Sequence, residues 1–183
     1  MRTIFYTGRG DGGESSFGGK KLPKSDALFE LLGNLDELNS LIGVCRTAAT
    51  DDFNAVLKRV QKILFIAQAE VAAVGFDYEI KPVNKMTTAH TEFLEAEINQ
   101  LDKKLPALKN FVLPGGTRLA AELDLARAVA RRAERSAVKF NERQPLSPEL
   151  LKFLNRLSSL LFALAREANR AEGRVEESPD YKV

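Results

Sequence analysis

The sequence predicts an all-α protein: a five-helix bundle with ferritin-like up-and-down packing, preceded by a glycine-rich N-terminal loop. Three observations support this fold class. Five segments carry apolar residues at helical spacing, the links between them are short and rich in proline or glycine, and β-prone sequence is confined to the N-terminus. Several helices look apolar on more than one face, which predicts an additional buried surface and therefore an oligomer.

The composition excludes several classes of function. The chain has 183 residues, enough for one domain with a sizeable core, and its net charge of +2 is too balanced for general nucleic-acid binding. One cysteine, Cys45, and one histidine, His90, exclude an internal disulfide and cysteine- or histidine-rich metal sites. We find neither a membrane-spanning apolar run nor a signal peptide, so we expect a cytoplasmic protein without a membrane partner.

Residues 1–24 differ from the rest of the chain. A β-prone run at 3–7 is followed by six glycines, several hydroxyls and two lysines between Gly8 and Lys21, a composition that argues against a helix and against a fixed strand. Bare backbone N–H groups can surround an anion while lysines neutralise it, so the segment suits phosphate. It is not a Walker A loop, because Gly19 stands where lysine is required. The alternative is a flexible N-terminal arm.

The five predicted helices follow in order over residues 25–173. Each begins at a capping residue or an acidic first turn and ends at proline, glycine or a polar link. They begin near Ser25, Asp52, Thr88, Thr117 and Ser147, and the last four end near Val74 (before Gly75), Leu105, Phe140 and Gly173. Residues 174–183 are polar, and we expect them to be disordered.

The fourth helix carries an unusual cluster of charges. Arg127, Arg131, Glu134 and Arg135 share one face at helical spacing, while Arg132 points elsewhere. One glutamate cannot neutralise three arginines, so the face requires an external anion or acidic groups from another segment. The planar fork of arginine suits phosphate. The alternative is a solvated basic face with local Glu–Arg pairs.

Two further side chains are candidates for a site. Asp36 lies near the apolar stripe of the first helix, where a partly buried carboxylate needs a cationic partner, although it can also be an ordinary edge carboxylate. Phe111 lies on the link before Pro114, Gly115 and Gly116. Its ring can pack on a flat ligand or on the core, and core packing is the more common fate of such a residue.

Four blocks, in order and in spacing, carry a resemblance to a known family. They are residues 7–16 with Lys24, residues 33–39, residues 111–116, and residues 127–135 followed by 153–158. Together they resemble the PduO-type ATP:cob(I)alamin adenosyltransferases over nearly the whole chain except the tail. The family implies a homotrimer with active sites between subunits, where cob(I)alamin attacks the 5′ carbon of ATP and yields adenosylcobalamin and triphosphate.

The resemblance also implies cofactors and partners. Mg²⁺ would bind through ATP oxygens and water and not at a metal site made by the protein alone. A cobalamin reductase and an adenosylcobalamin-dependent enzyme are the implied partners, and a mature eukaryotic form would lie in the mitochondrial matrix.

The resemblance assigns roles to individual residues. Phe111 stands under the corrin, where an apolar wall disfavours an axial cobalt ligand, and Asp36 pairs with Arg127 across the subunit interface. These three residues form the implied cobalamin site, and with Arg131 they are the implied catalytic residues. The implied ATP-binding residues are Thr7, Gly8, Arg9, Gly10, Ser15, Ser16, Lys24, Arg131, Arg132, Glu134, Arg135 and Asn155.

The chain departs from the usual family pattern at three positions. Members of the family usually carry Thr or Ser near the position of Arg9. Asp124 stands where many members carry His, and Ser159 stands where many carry Asp. Arg9 and Ser159 motivate a second hypothesis, a non-catalytic carrier or sensor of nucleotide or cobalamin with the same fold. A third hypothesis is a helical protein that binds an acidic partner, but such a protein needs neither the loop nor the arginine cluster. The failed Walker pattern disfavours a P-loop NTPase.

Overall fold

The structure is a computed structural model that describes residues 5–17 and 19–181. In this part of the chain, five helices form the bundle and a small β-hairpin precedes them. The elements are β1 (Glu14–Phe17), β2 (Lys20–Pro23), α1 (Ala27–Thr47), α2 (Asp51–Phe76), α3 (Thr88–Asp102), α4 (Arg118–Asn141) and α5 (Pro148–Ala171), with a single 3-10 turn, Pro82–Asn84, before α3. The predicted five helices are confirmed. No helix among the described residues combines the length and apolarity needed to cross a membrane.

The helices pack in the order α2, α1, α4, α5, α3 around the bundle. α1 and α2 run antiparallel, because Gln61 donates to the Asn39 carbonyl at 2.9 Å while Arg46 donates to Asn54 at 2.7 Å. α4 and α5 are also antiparallel, since Asn155 pairs with Glu134 and the Thr117 N–H pairs with Asn169. The up-and-down packing predicted from the short links holds for these pairs.

The core lies between the leucine stripes of the helices. Leu28, Leu31, Leu35 and Leu38 of α1 are fully buried, and each such burial stabilises the fold by about 1.5–3 kcal/mol. A Cβ at Gly75 would lie 2.4 Å from Leu28 Cδ1, so glycine at this position lets α1 and α2 approach closely.

Three predicted helix boundaries were wrong. Gly75 does not end α2, which continues to Phe76 and stops at Asp77 in the left-handed conformation (φ 56°). The cap of α1 is Asp26 and not Ser25, since its side chain accepts the Leu28 N–H at 2.8 Å. α3 ends at Asp102, before the predicted Leu105.

The expectation that the glycine-rich segment holds no fixed strand was wrong. β1 and β2 pair antiparallel, with Ser15 opposite Leu22. Phe17 packs on Phe76 at 5.6 Å and on Tyr78 at 5.1 Å between ring centroids, and Lys20 Nζ donates to the Gly75 carbonyl at 3.0 Å. These contacts with the end of α2 supply the stability that the composition lacks. Of the β-prone run at 3–7, residues 3 and 4 lie outside the described residues, and residues 5–7 form no strand.

The polar C-terminal segment is bound to the bundle in its described part, 174–181, in contrast to the disordered tail predicted from composition. Arg166 of α5 donates to both carboxylate oxygens of Glu176, at 2.6 and 2.9 Å. The Leu113 N–H donates to the Glu177 carbonyl at 2.8 Å. The segment therefore lies against the α3–α4 link that carries Phe111.

Candidate functional site

A cavity of about 950 Å³ lies where the α3–α4 link, α4, α5 and the C-terminal segment meet. Phe111, Arg127 and Arg131 all line it, together with Phe162 and Tyr181. Phe111 is 81% exposed, so its ring does not pack on the core. The core-packing alternative for Phe111 is therefore wrong within this chain, and the ring is available to a flat ligand.

The link that carries Phe111 is fixed by α5. Gly115 and Gly116 have φ of 130° and 100°, a region that side chains rarely adopt. Asn169 donates to the Gly115 carbonyl at 2.8 Å and accepts the Thr117 N–H at 2.8 Å. A Cβ at Gly116 would lie 2.3 Å from Asn169 Oδ1. Gly115 thus provides the backbone conformation of the link, and Gly116 allows both that conformation and the close approach of Asn169.

Arg127 is held from two sides at the cavity wall. Its Nε donates to Asp124 Oδ1 at 3.2 Å, and its guanidinium carbon lies 5.9 Å from the Phe162 ring centroid. Asp124 Oδ2 also accepts the Gly115 N–H at 3.3 Å. The carboxylate that binds Arg127 within the chain is therefore Asp124.

Asp36 does not behave as predicted within one chain. It lies exposed on α1, and neither a hydrogen bond nor an ion pair joins its side chain to any other residue of 5–17 or 19–181. The prediction of a partly buried carboxylate is wrong for the single subunit. Pairing of Asp36 with Arg127 across an interface stays a prediction.

The rest of the arginine cluster divides into paired and unpaired cations. Arg132 donates to Asn34 at 2.9 Å and forms an ion pair with Glu37, so it binds α1. Glu134 accepts from Asn155 of α5 at 2.8 Å. Arg131 and Arg135 are exposed, and over the described ranges no hydrogen bond or ion pair involves their side chains. Local pairing therefore compensates part of the basic face and leaves two cations available for an external anion.

The glycine-rich loop, which carries the N-terminal group of implied ATP-binding residues, folds around Lys24. Gly8 and Gly13 have φ of 71° and 80°, and the Lys24 N–H donates to the Gly13 carbonyl at 2.8 Å. A Cβ at Gly10 would lie 3.0 Å from Lys24 Nζ. Between residues 7–24 (Gly18 aside) and α4 or α5, no hydrogen bond or ion pair is formed. One chain therefore does not join the loop to the arginine cluster by such contacts.

Residues 5–168 match the model of the cobalamin adenosyltransferase family. The chain belongs to the cobalamin adenosyltransferase family. The family resemblance seen in the sequence is thus confirmed.

Individual cobalamin adenosyltransferases are similar over most of the chain. The corrinoid adenosyltransferase of Bacillus subtilis is 35% identical over 175 residues, which cover 92% of this chain and 88% of that protein. Human corrinoid adenosyltransferase MMAB is 36% identical over 183 residues, covering 94% and 71%. Among solved structures, a variant PduO-type ATP:corrinoid adenosyltransferase from Lactobacillus reuteri complexed with cobalamin and ATP has a TM-score of 0.85 and 32% identity, and the match covers 97% of each chain.

Sequence reasoning missed several residues that build the site of this cobalamin adenosyltransferase. Asn169 and Phe162 are ordinary members of the α5 sequence, and only their contacts with the Gly115 link and with Arg127 reveal them. Asp124 was visible only as a departure from the family pattern. Its position three residues before Arg127 was the available signal, since i,i+3 pairs of opposite charge meet on a helix.

Protein ligands for a metal ion are not gathered at this site. Within residues 5–17 and 19–181 there is no group of three or more His, Cys, Asp or Glu side chains that could hold one. Carboxylates that lie near the cavity, such as Asp124, are engaged by hydrogen-bond donors of the protein.

Proposed function

We propose that this cobalamin adenosyltransferase transfers the 5′-deoxyadenosyl group of ATP to cob(I)alamin and releases inorganic triphosphate. The observation that carries the proposal is the single cavity that presents an exposed aromatic ring, Phe111, beside the cations Arg127 and Arg131. A flat apolar ligand and a polyanion can meet there. In the reaction, a cobalt–carbon bond forms at the 5′ carbon and the carbon–oxygen bond breaks, so triphosphate leaves with the electron pair.

Arg131 is the side chain best placed to stabilise the leaving group. Triphosphate gains negative charge as it departs, and catalysis therefore needs fixed cations where that charge develops. Arg131 lines the cavity and has no partner among the described residues, so it need not break an ion pair to bind phosphate. Asn155 and Glu134, which are hydrogen-bonded to each other, would contact the rest of ATP. Arg135 would add positive charge.

Phe111 has a different role in this proposal. An exposed apolar ring below the corrin would exclude an axial ligand from cobalt, and four-coordinate cobalt is easier to reduce to the nucleophilic Co(I) state. The cobalt centre is the nucleophile, so no side chain needs to act as one. Mg²⁺ would bind together with ATP, without a ligand set from the protein alone, and would neutralise part of the charge of the leaving triphosphate.

The complete site would form between subunits of a homotrimer. Within one chain, the loop of residues 7–16 with Lys24 makes no polar contact with the arginine cluster, and Asp36 is exposed. Docking the loop of one subunit against α4 of the next would join the two groups, and Asp36 could then meet Arg127. Exposed apolar side chains on the outer faces of α1 and α4, namely Val44, Leu125 and Val138, support such burial.

A complementation experiment tests the shared site. Lys24→Ala removes a loop cation, and Arg131→Ala removes the cation on α4. If each site uses the loop of one subunit and α4 of another, refolding the two inactive variants together restores part of the activity. Refolding either single variant with the double variant provides the control, because no such mixture contains an intact pair. Absence of recovery in the mixed trimers would refute the shared site.

An anaerobic assay tests the reaction itself. The protein is mixed with ATP, Mg²⁺ and chemically reduced cobalamin, the absorption spectrum is followed and triphosphate is quantified. We expect adenosylcobalamin and triphosphate in equal amounts. Binding of ATP without product would instead favour a carrier or sensor of this fold.

The cellular setting follows from the same proposal. The free, buried Cys45 suits a reducing compartment, the cytoplasm or, in a eukaryote, the mitochondrial matrix. A separate cobalamin reductase would supply the electron, and an adenosylcobalamin-dependent enzyme would receive the product.

A further inference from the structure

Asp124 contacts two parts of the cavity at once. Its Oδ1 accepts from Arg127 Nε at 3.2 Å, and its Oδ2 accepts the Gly115 N–H at 3.3 Å. The Asp124 side chain is only 12% exposed and that of Arg127 is 28% exposed, so the pair is partly shielded from water. The cation of the cavity wall and the link that carries Phe111 are therefore joined through one carboxylate.

The two contacts require two acceptors. A carboxylate accepts on both oxygens, whereas a carboxamide has one acceptor oxygen and an NH₂ group that can only donate. Both partners of Asp124 are donors. Asn at this position would keep one contact and place an N–H group against the other donor, and a single imidazole acceptor would also satisfy one partner only.

The same ion pair separates the roles of the two cavity arginines. Asp124 compensates the charge of Arg127, while the Arg131 side chain has no hydrogen bond or ion pair in the described part of the chain. A polyphosphate therefore meets one uncompensated cation at the wall, Arg131. Within one chain, removing the charge of Asp124 would leave two, which strengthens attraction of an anion at short range; a partner carboxylate on Arg127, such as Asp36 of a neighbouring subunit, would reduce this increase.

We propose that Asp124 is a positioning residue for the corrin side of the site, because it fixes Arg127 and the Phe111 link relative to each other. This inference rests on the proposed function. It assigns Asp124 no contact with ATP, so its loss should weaken cobalamin binding without weakening ATP binding. A residue that served stability alone would not separate them.

Asp124→Asn is the decisive variant, since it is nearly isosteric. We expect affinity for cob(II)alamin, measured with ATP present, to fall roughly tenfold, as expected when an ionic hydrogen bond is lost. The four-coordinate fraction seen by electron paramagnetic resonance should fall too, because the Phe111 link is less fixed. Calorimetric affinity for ATP with Mg²⁺ should stay unchanged or increase.

Glu122→Gln provides a matched control on the same helix. Glu122 also pairs with an arginine, Arg118 at 2.8 Å, but neither residue lines the cavity. We expect it to leave both affinities and the cobalt spectrum unchanged. Equal effects of the two substitutions would show that any loss of a carboxylate on α4 suffices, and would overturn the inference.

Two further outcomes also overturn it. In the first, Asp124→Asn keeps the cobalamin affinity and the cobalt spectrum of the unaltered protein. In the second, its affinities for cobalamin and for ATP fall equally. If Asp124→Asn does not fold, Asp124→Glu is the substitute, since it keeps the charge and both acceptors but displaces them. We expect this variant to lose less affinity for cobalamin and none for ATP. A loss of ATP affinity would contradict the assignment. Failure of the unaltered protein to bind cobalamin would refute the proposed function itself.

Discussion

Replacing Arg131 by alanine tests the proposed stabilisation of triphosphate most directly. Arg131 is exposed and has no hydrogen bond or ion pair among the described residues, so its removal should change the free energy of unfolding by no more than about 0.5 kcal/mol. Loss of a donor that acts on developing negative charge costs about 3–4 kcal/mol of transition-state stabilisation. At about 1.4 kcal/mol for each factor of ten, kcat should fall between roughly 100-fold and 1000-fold.

The assay is the anaerobic formation of adenosylcobalamin at saturating substrates, with thermal unfolding measured in parallel. Lys139→Ala is the matched control, since Lys139 is an exposed cation on the same helix that does not line the cavity. We expect it to retain wild-type kcat. Unchanged turnover in Arg131→Ala would refute the role of Arg131, and an equal loss in Lys139→Ala would mean that only the overall charge of α4 matters.

Three other substitutions or modifications probe separate parts of the structure. Phe111→Ala should leave calorimetric ATP affinity nearly unchanged but reduce the four-coordinate cobalt signal, and a large loss of ATP affinity would show that the ring lies elsewhere. Gly116→Ala places a methyl group 2.3 Å from Asn169 Oδ1 at a φ of 100°, so thermal unfolding should show that the protein loses at least about 1–2 kcal/mol of stability. Gly12→Ala, where the added methyl group meets open space, should lose much less stability. Burial raises the pKa of the Cys45 thiol to about 11. Iodoacetamide at pH 9 should therefore modify Cys45 in urea but not in the folded protein, as read by mass spectrometry. Rapid modification of the folded protein would contradict the burial of Cys45.

The helices were predictable because their signal is periodic and repeated. Leu28, Leu31, Leu35 and Leu38 recur on one face of α1, and all four are buried. Thr117 and Ser147 cap α4 and α5 through hydrogen bonds to Ala120 and Leu150, as their residue types indicate. Local chemistry and burial agree at these positions, so sequence alone sufficed.

The hairpin and the C-terminal segment were not predictable from composition. Glycines disfavour a regular strand, yet β1 is stabilised by stacking of Phe17 on rings more than fifty residues away. The polar tail is bound through Arg166 and a backbone N–H of the Phe111 link. Such contacts between distant segments leave no local pattern in the sequence.

The residue types of the candidate site were predicted, but its pairings within one chain were not. Phe111, Arg127 and Arg131 do line one cavity. Within the chain, the carboxylate that binds Arg127 is Asp124, because a helical neighbour three residues away reaches the guanidinium without a partner subunit. Pairing of Arg127 with Asp36 across an interface stays a prediction. Family patterns indicate which side chains matter, whereas the local acceptor depends on the residue that this chain carries at 124.

The anchored hairpin limits the reach of the glycine-rich loop. Its last turn is fixed where the Lys24 N–H binds the Gly13 carbonyl, and β1 is held against Phe76 and Tyr78 at the end of α2. Six residue steps separate Gly13 from Thr7, and an extended chain advances at most about 3.6 Å per step, so Thr7 can lie no more than about 22 Å from Gly13. If the site is shared between subunits as proposed, the hairpin therefore limits assembly, because the backbone of the loop can meet a triphosphate on a neighbouring subunit only within about 22 Å of Gly13.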